Sequence, residues 1–154
     1  MMTLSAKVIN LLQGKTLSTA ESCTGGGIGS ALTAISGSSK VYCGGIISYT
    51  NQVKAKLLHV SNADLELYGA VSATVAEQMA RGVKELLSTD IGVSVTGLAG
   101  PGGDDYGNQV GTVFIGYCDD HCCLSRQFLF VGNREEVRQQ AVENALRIVI
   151  EQNQ

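Results

Sequence analysis

Residues 18–35 read STAESCTGGGIGSALTAI: a strand-forming segment, then Ser22 and Cys23, then three glycines, then an apolar stretch with helical spacing. This order predicts a strand that leads through a tight turn into a helix, the first unit of an α/β fold. Glycines let a ligand approach the main chain, and free N–H groups at a helix start favour negative charge. The segment therefore fits either an anion-binding turn or an exposed nucleophile beside an oxyanion site.

The order of strand then helix recurs along the chain. We expect helices over residues 3–13, 26–35, 61–69 and 72–88, a further helix that begins with Asn51 as its N-cap, and strands over 16–21, 41–49 and 91–97. Segments 111–118 and 123–131 predict an antiparallel hairpin. A last helix, capped by Asn133, should bury the stripe of Val137, Ala141, Ala145, Ile148 and Val149. The pattern predicts one domain over 1–154: an α/β fold with three layers, α/β/α, whose mixed, mostly parallel sheet ends in the hairpin.

Composition narrows the class of protein. The chain has 154 residues, of which 44% are hydrophobic and 16% charged, with a net charge of −3 and no long basic run, so we expect no nucleic-acid partner. No segment approaches the ~20 apolar residues of a membrane span, and the N-terminus resembles a surface helix more than a signal peptide. We therefore expect a cytoplasmic protein, without a membrane partner, that binds a small anionic molecule.

The five cysteines, at positions 23, 43, 118, 122 and 123, form no C-x-x-C pair. Cys122 and Cys123 follow His121, but a zinc site needs separated ligand pairs from two segments. We therefore expect reduced thiols, no metal site and no cofactor.

In open α/β sheets, ligands bind at the loops beyond the carboxyl ends of the strands. There the sequence offers Ser22, Tyr49 and Lys54. With Asn51 as N-cap, Lys54 is the third residue of its helix, where the helix dipole and partial burial would lower its pKa and let it accept the serine proton. An ordinary exposed lysine and a packing tyrosine are the competing interpretations. His59 and His121 are poorly placed to serve as a base.

A second glycine-rich segment, VSVTGLAGPGG (93–103), offers Thr96 and backbone N–H groups, but it matches neither the P-loop nor the Rossmann fingerprint. Arg134 and Arg138 lie one turn apart on one helix face, where one or both could bind a phosphate. A solvated pairing with Glu135 and Glu136 is the alternative.

Six segments in order resemble the CinA C-terminal domain family, the nicotinamide-nucleotide amidohydrolases, over about residues 15–148. They are TAESCTGGGIGSALTAISGSS, GGIISYTNQVKAKLL, YGAVSATVAEQMARG, VSVTGLAGPGG, VGTVFIG and FVGNREEVRQQAVENAL. The resemblance implies hydrolysis of the carboxamide of nicotinamide mononucleotide to nicotinic acid mononucleotide and ammonia.

The resemblance also implies roles for individual residues. Ser22 matches the nucleophile, Lys54 its general base and Tyr49 a residue that relays or holds the proton, while N–H groups of Cys23, Thr24 or Gly25 would stabilise the oxyanion. The substrate-binding residues that we expect are Thr24, Gly25, Thr96, Gly97, Ala99, Gly100, Arg134 and Arg138.

The chain departs from the family pattern in places. Asn133 stands where members often have aspartate, and the stretch DDYGNQVGTV (104–113) replaces a more usual lysine-proline, which leaves the shape of that loop open. The N-terminal domain of longer members is absent from this sequence, so we expect no nucleotide-pyrophosphatase activity. A non-catalytic pyridine-nucleotide-binding module and a Ser-Lys amidase with another substrate are the alternative functions, and we expect a homodimer.

Overall fold

A computed structural model describes all 154 residues of the chain. The strands are β1 (Leu17–Glu21), β2 (Tyr42–Ile47), β3 (Ile91–Gly97), β4 (Thr112–Cys118) and β5 (Cys123–Leu129). The helices are α1 (Leu4–Leu11), α2 (Gly27–Thr33), α3 (Asn51–Leu58), α4 (Asn62–Tyr68), α5 (Ala73–Leu87) and α6 (Arg134–Gln152). None of these helices combines the length with the apolar character that a membrane crossing requires.

The five strands form one mixed sheet in the order β2-β1-β3-β4-β5. β1 lies between β2 and β3 and pairs with both in parallel, whereas β3–β4 and β4–β5 are antiparallel. The predicted α/β fold with a mixed sheet and a terminal hairpin is therefore confirmed. Because β1, β2 and β3 run in the same direction, their carboxyl ends meet at one edge of the sheet, where the loops that follow them converge.

Helices cover both faces of the sheet, as the predicted three-layer arrangement requires. α1, α2 and α6 pack on one face around a core that includes Leu12, Leu32, Val93, Ile115 and Ile148. α5 crosses the other face together with α3 and α4, over a smaller apolar cluster. The stripe predicted for α6 is buried in the first of these cores.

The alternation of side chains along β3 explains how closely α5 approaches the sheet. The larger residues of β3, Val93 and Val95, point towards α6, whereas the positions between them on the strand are small. Ser94 donates a hydrogen bond to the Ala76 carbonyl of α5, and a methyl group on Gly116 of β4 would overlap that same oxygen. Small residues at these positions therefore set the distance between helix and sheet.

The predicted caps Ser61, Ser72 and Asn133 are confirmed, since each side chain accepts a backbone N–H of its helix. The predicted Asn51 cap is wrong. Thr50 is the N-cap of α3, because its backbone is extended and its hydroxyl accepts the N–H of Val53 at 3.3 Å. β2 also ends two residues earlier than predicted, at Ile47.

The expectation of five reduced thiols is wrong for two of them. Cys118 ends β4 and Cys123 begins β5, and the hairpin register places them directly opposite each other, 4.1 Å apart at Cα, where they form a disulfide. Cys23, Cys43 and Cys122 are free thiols. The connection 119–122 lies between the two predicted strand segments, and its length brings the two cysteines into register.

The close packing of α5 on β4 predicts that Gly116→Ala destabilises the protein. The added methyl group meets the Ala76 carbonyl and the Ser94 hydroxyl, neither of which can move without breaking their hydrogen bond. We expect urea denaturation to show a free energy of unfolding lower by about 1–3 kcal/mol.

Gly103→Ala is the matched control, because a methyl group there meets no neighbouring atom. Its stability should be unchanged or raised by up to about 1 kcal/mol. Equal stabilities for the two variants would contradict the packing that we describe.

Candidate active site

Ser22 follows the last residue of β1 and begins a tight turn. Its N–H donates to the Val95 carbonyl at 2.9 Å, which continues the pairing with β3, and its own carbonyl accepts the N–H of Gly25 at 3.1 Å. Gly25 and Gly26 then adopt φ values of +56° and +101°, which glycine accommodates without strain. The chain therefore reverses at residues 22–26, which we call the nucleophile turn, before α2 begins.

The buried carboxylate of Glu21 organises this turn from within. It accepts the Thr24 hydroxyl at 2.7 Å and the N–H groups of Ile28 and Gly29, in the first turn of α2, at 2.8 and 3.1 Å. The start of α2 is therefore already occupied by a carboxylate and is not available to a bound anion. The Thr24 hydroxyl likewise already has its partner inside the turn.

Two N–H groups of the nucleophile turn remain without an acceptor. Those of Cys23 and Thr24 make no hydrogen bond to another residue, whereas Gly25 already donates to Ser22. Of the three oxyanion donors that we expected, the structure leaves these two.

Lys54 lies in the first half of α3 and is almost completely buried, with 1% of its surface exposed. Its Nζ lies 3.0 Å from Ser22 Oγ, and it donates to the carbonyl oxygens of Ser48 and Tyr49 at 2.8 and 3.3 Å. The parallel pairing of β1 with β2 explains this meeting, because both strands end at the same edge of the sheet. The structure thus brings the predicted nucleophile and base into direct contact.

Burial lowers the pKa of the Lys54 amine from its ordinary 10.5 to about 8, because the charged form loses its hydration. The neighbouring Cys23 opposes this shift only in part. Desolvation is therefore the main cause of the lowered pKa, to which we had expected the helix dipole to contribute. Lys54 is also the fourth residue of its helix, not the third. The neutral amine is then a minor species near physiological pH, but a far larger fraction than in an exposed lysine.

Cys23 is adjacent to Ser22 but differs from it in chemistry. Burial raises the pKa of its thiol to about 11, and no hydrogen bond links it to Lys54. The thiolate, which is the reactive form, is therefore scarce at neutral pH.

A cavity of about 480 Å³ opens at the ends of β1, β2 and β3. The predicted site residues that line it are Ser22, Tyr49, Lys54, Thr96, Gly97, Ala99, Gly100 and Arg134. Thr24, Gly25 and Arg138 do not line it. The Thr96 hydroxyl donates to the Ala70 carbonyl at 2.8 Å, so it supports the cavity wall, and residues 97–100 continue that wall.

Arg134, the first residue of α6, bridges two walls of the cavity. It donates to the Gly100 carbonyl at 2.9 Å and to the Tyr49 hydroxyl at 3.3 Å. Tyr49 meets Lys54 only through its main-chain carbonyl, and its exposed phenol has no contact with Ser22 or Lys54. The predicted proton relay through this phenol has no hydrogen-bonded path in the structure.

Arg138 points away from the cavity, contrary to its predicted role in substrate binding. Its Nε donates to the Cys23 carbonyl at 2.9 Å and its Nη2 to the Thr24 carbonyl at 3.2 Å. The guanidinium is therefore engaged with the main chain of the nucleophile turn.

Several contributors to the cavity carry no signal that we recognised in the sequence. Asp104, Asp105 and Tyr106, in the stretch that departs from the family pattern, line part of the wall. Asp104 accepts the N–H groups of Tyr106 and Asn108, as an aspartate in a turn commonly does. The Tyr106 hydroxyl donates to the Glu66 carbonyl at 2.7 Å, and Asn108 donates to the Val71 carbonyl at 3.2 Å. These contacts tie the segment to α4 and to the loop that follows it.

A family model described as the CinA C-terminal domain matches residues 1–152. The chain belongs to this family. CinA-like proteins of Acaryochloris marina and Nostoc punctiforme are 49% and 50% identical to it over 148 and 149 residues. Each alignment covers 94% of this chain but 35% and 36% of the relative, so the chain spans about a third of the length of these curated relatives.

Solved structures of the CinA superfamily share the fold. The competence/damage inducible protein CihA of Agrobacterium tumefaciens is 39% identical with a TM-score of 0.94, over 98% of this chain and 94% of that one. A competence-damaged protein (CinA) superfamily protein of Escherichia coli is 36% identical with a TM-score of 0.92, over 97% and 90% of the two chains.

The environments of the free thiols predict selective alkylation. Iodoacetamide at pH 8 should modify exposed Cys43 and Cys122 of the folded protein and spare Cys23, which is buried and has its pKa raised to about 11. Intact mass should show two adducts on the folded protein and a third after denaturation without reductant. Rapid labelling of Cys23 in the folded protein would contradict this description of its surroundings.

Proposed function

We propose that this protein hydrolyses the carboxamide of nicotinamide mononucleotide to nicotinic acid mononucleotide and ammonia, with Ser22 as nucleophile and Lys54 as general base. The observation that carries the proposal is the buried Lys54 Nζ to Ser22 Oγ contact of 3.0 Å at the cavity. Membership of the CinA C-terminal domain family, together with the family resemblance of the surrounding segments, supports the substrate.

The partners of Lys54 determine where its lone pair points. The Ser48 and Tyr49 carbonyl oxygens can only accept hydrogen bonds, so in the neutral amine they take its two N–H groups. The lone pair is then left for the Ser22 hydroxyl, which donates its proton along the direction needed for general-base catalysis.

In the first half of the reaction, Ser22 Oγ attacks the carboxamide carbon as its proton moves to Lys54. The negative charge that develops on the amide oxygen would be stabilised by the unpaired N–H groups of Cys23 and Thr24. As the tetrahedral intermediate collapses, the C–N bond breaks and Lys54 returns the proton to the leaving nitrogen. Ammonia departs and leaves an ester of Ser22.

In the second half, a water molecule attacks this ester and Lys54 accepts the water proton. Collapse of the second intermediate breaks the bond to Ser22 Oγ, which recovers the proton from Lys54. The product leaves as the carboxylic acid, which releases its proton to solvent and becomes the carboxylate, and both protein groups return to their starting forms.

The cavity offers a counter-charge for the phosphate of the substrate. Arg134 uses two of its N–H groups on the Gly100 carbonyl and the Tyr49 hydroxyl, which leaves others to donate to phosphate oxygens. Residues 97–100 line the same cavity and would contact the nucleoside part.

Ammonia release from a panel of amides tests the proposal. Nicotinamide mononucleotide should be turned over, whereas nicotinamide, its riboside and glutamine should react at least about a hundredfold more slowly in kcat/KM, because each lacks the combination of carboxamide and nucleotide phosphate. Binding of the mononucleotide without ammonia release would favour a binding module, and preference for another amide would favour an amidase of different substrate.

The two adjacent nucleophilic side chains should respond oppositely to truncation. Ser22→Ala should abolish ammonia release, because no other group holds the position beside Lys54. Cys23→Ala, the matched control, should retain most activity, since its thiol is protonated and lacks a base. Near-wild-type turnover by Ser22→Ala would remove Ser22 from the mechanism.

The lowered pKa of Lys54 predicts the pH profile. A general base acts in its deprotonated form, so kcat/KM should rise about tenfold per pH unit below pH 8 and level off above it. Lys54→Arg keeps the positive charge but cannot lose its proton, so turnover should fall by about 10²- to 10⁴-fold. Activity within a few-fold of wild type in this variant would show that another group accepts the proton.

A further inference from the structure

Arg138 is one of three predicted substrate-binding residues that do not line the cavity, and its contacts point to a different task. Building on the proposed serine mechanism, we propose that Arg138 is a positioning residue that aims the Thr24 N–H at the oxyanion by holding the carbonyls of Cys23 and Thr24.

The planarity of the peptide bond relates the Cys23 carbonyl, which Arg138 holds, to the direction of the Thr24 N–H. In a trans peptide, the carbonyl of one residue and the N–H of the next point in opposite directions. The Cys23 carbonyl accepts Arg138 Nε at 2.9 Å, so the N–H of Thr24 must point away from the guanidinium. That N–H has no acceptor within the protein.

The positions of α6 and α3 in the fold show which groups lie on the side of the turn opposite Arg138. Arg138 belongs to α6, which packs on one face of the sheet together with α2, whereas Lys54 belongs to α3 on the other face. Arg138 therefore reaches the nucleophile turn from one side, and Lys54 reaches Ser22 from the other. An N–H directed away from Arg138 is therefore directed towards the side of the turn on which Lys54 lies.

The guanidinium holds the turn through specific hydrogen bonds. It is partly buried and donates to two successive carbonyls through separate nitrogens, which a planar fork can do and a single ammonium cannot do equally well. The Cα of Gly25 also lies so close that a β-carbon there would sit 3.5 Å from Arg138 Nη2. These contacts fix the orientation of two peptide planes at once.

A reagent that needs no nucleotide binding separates this task from phosphate recognition. Diisopropyl fluorophosphate reacts with an activated serine: the Ser22 Oγ–P bond forms, the P–F bond breaks, fluoride leaves and Lys54 takes the serine proton. Negative charge builds on a phosphoryl oxygen during this step, so the rate depends on the oxyanion donors. Intact mass measures the rate, and Ser22→Ala identifies the labelled residue.

We expect Arg138→Met to label about a hundredfold more slowly than wild type, as loss of one oxyanion donor does in other serine enzymes. The labelling rate of Arg138→Lys should lie between those of wild type and Arg138→Met, because a single ammonium can hold only one of the two carbonyls well. Arg147→Met is the matched control: Arg147 lies on the same helix, half-exposed, and only approaches Glu143. It should label at the wild-type rate. For nicotinamide mononucleotide, Arg138→Met should lower kcat and leave KM within about twofold.

Labelling of Arg138→Met within threefold of wild type would overturn the inference, and a raised KM with unchanged labelling would return Arg138 to phosphate binding. If Arg138→Met does not fold, the rate of Arg138→Lys against Arg147→Met decides in the same way. A wrong substrate assignment would give a different result from a wrong role for Arg138. In that case no ammonia would be released from the mononucleotide, while Ser22 would still react with the fluorophosphate. A wild-type protein whose Ser22 does not label at all would contradict both the nucleophile and this inference.

Discussion

The burial of the Lys54 amine against three oxygen atoms is the interaction on which the rest of the site depends. A lysine without exposed surface strongly disfavours its charged form, and it is tolerated because each of its hydrogen-bonding directions has a partner. Two partners are main-chain carbonyls just beyond β2, and the third is the side chain just beyond β1. The register of these two parallel strands therefore decides both where the amine can lie and what it can deprotonate.

The nucleophile turn is held by two side chains of opposite charge. Glu21 accepts hydrogen bonds from a hydroxyl and two N–H groups, and Arg138 donates to two carbonyls. Together they engage five polar groups of residues 23–29, so the N–H groups that stay unpaired do so in a turn that has little freedom to move. A preorganised donor of this kind stabilises developing charge without first having to reorient.

The sequence predicted the sheet, most helix caps and the meeting of Ser22 with Lys54, because strand and cap patterns are local and the two residues follow neighbouring strands. It did not separate Thr50 from Asn51, since both residue types cap helices and only backbone conformation distinguishes them. The Cys118–Cys123 disulfide depends on the length of the hairpin connection. The buried role of Glu21 depends on how the chain folds back from α2, which no pattern in residues 18–35 records.

The two arginines of α6 show how the same spacing can serve two purposes. Positions 134 and 138 share a helix face, as their separation of four residues predicts, but that separation also displaces them by about 6 Å along the axis. At the start of the helix, Arg134 reaches over the cavity to Gly100 and Tyr49, while Arg138, one turn deeper, lies beneath the nucleophile turn. One helix therefore places one cation at the cavity and a second cation against the main-chain carbonyls of the nucleophile turn. The direction in which α6 runs past the ends of β1 and β3 determines which arginine takes which position.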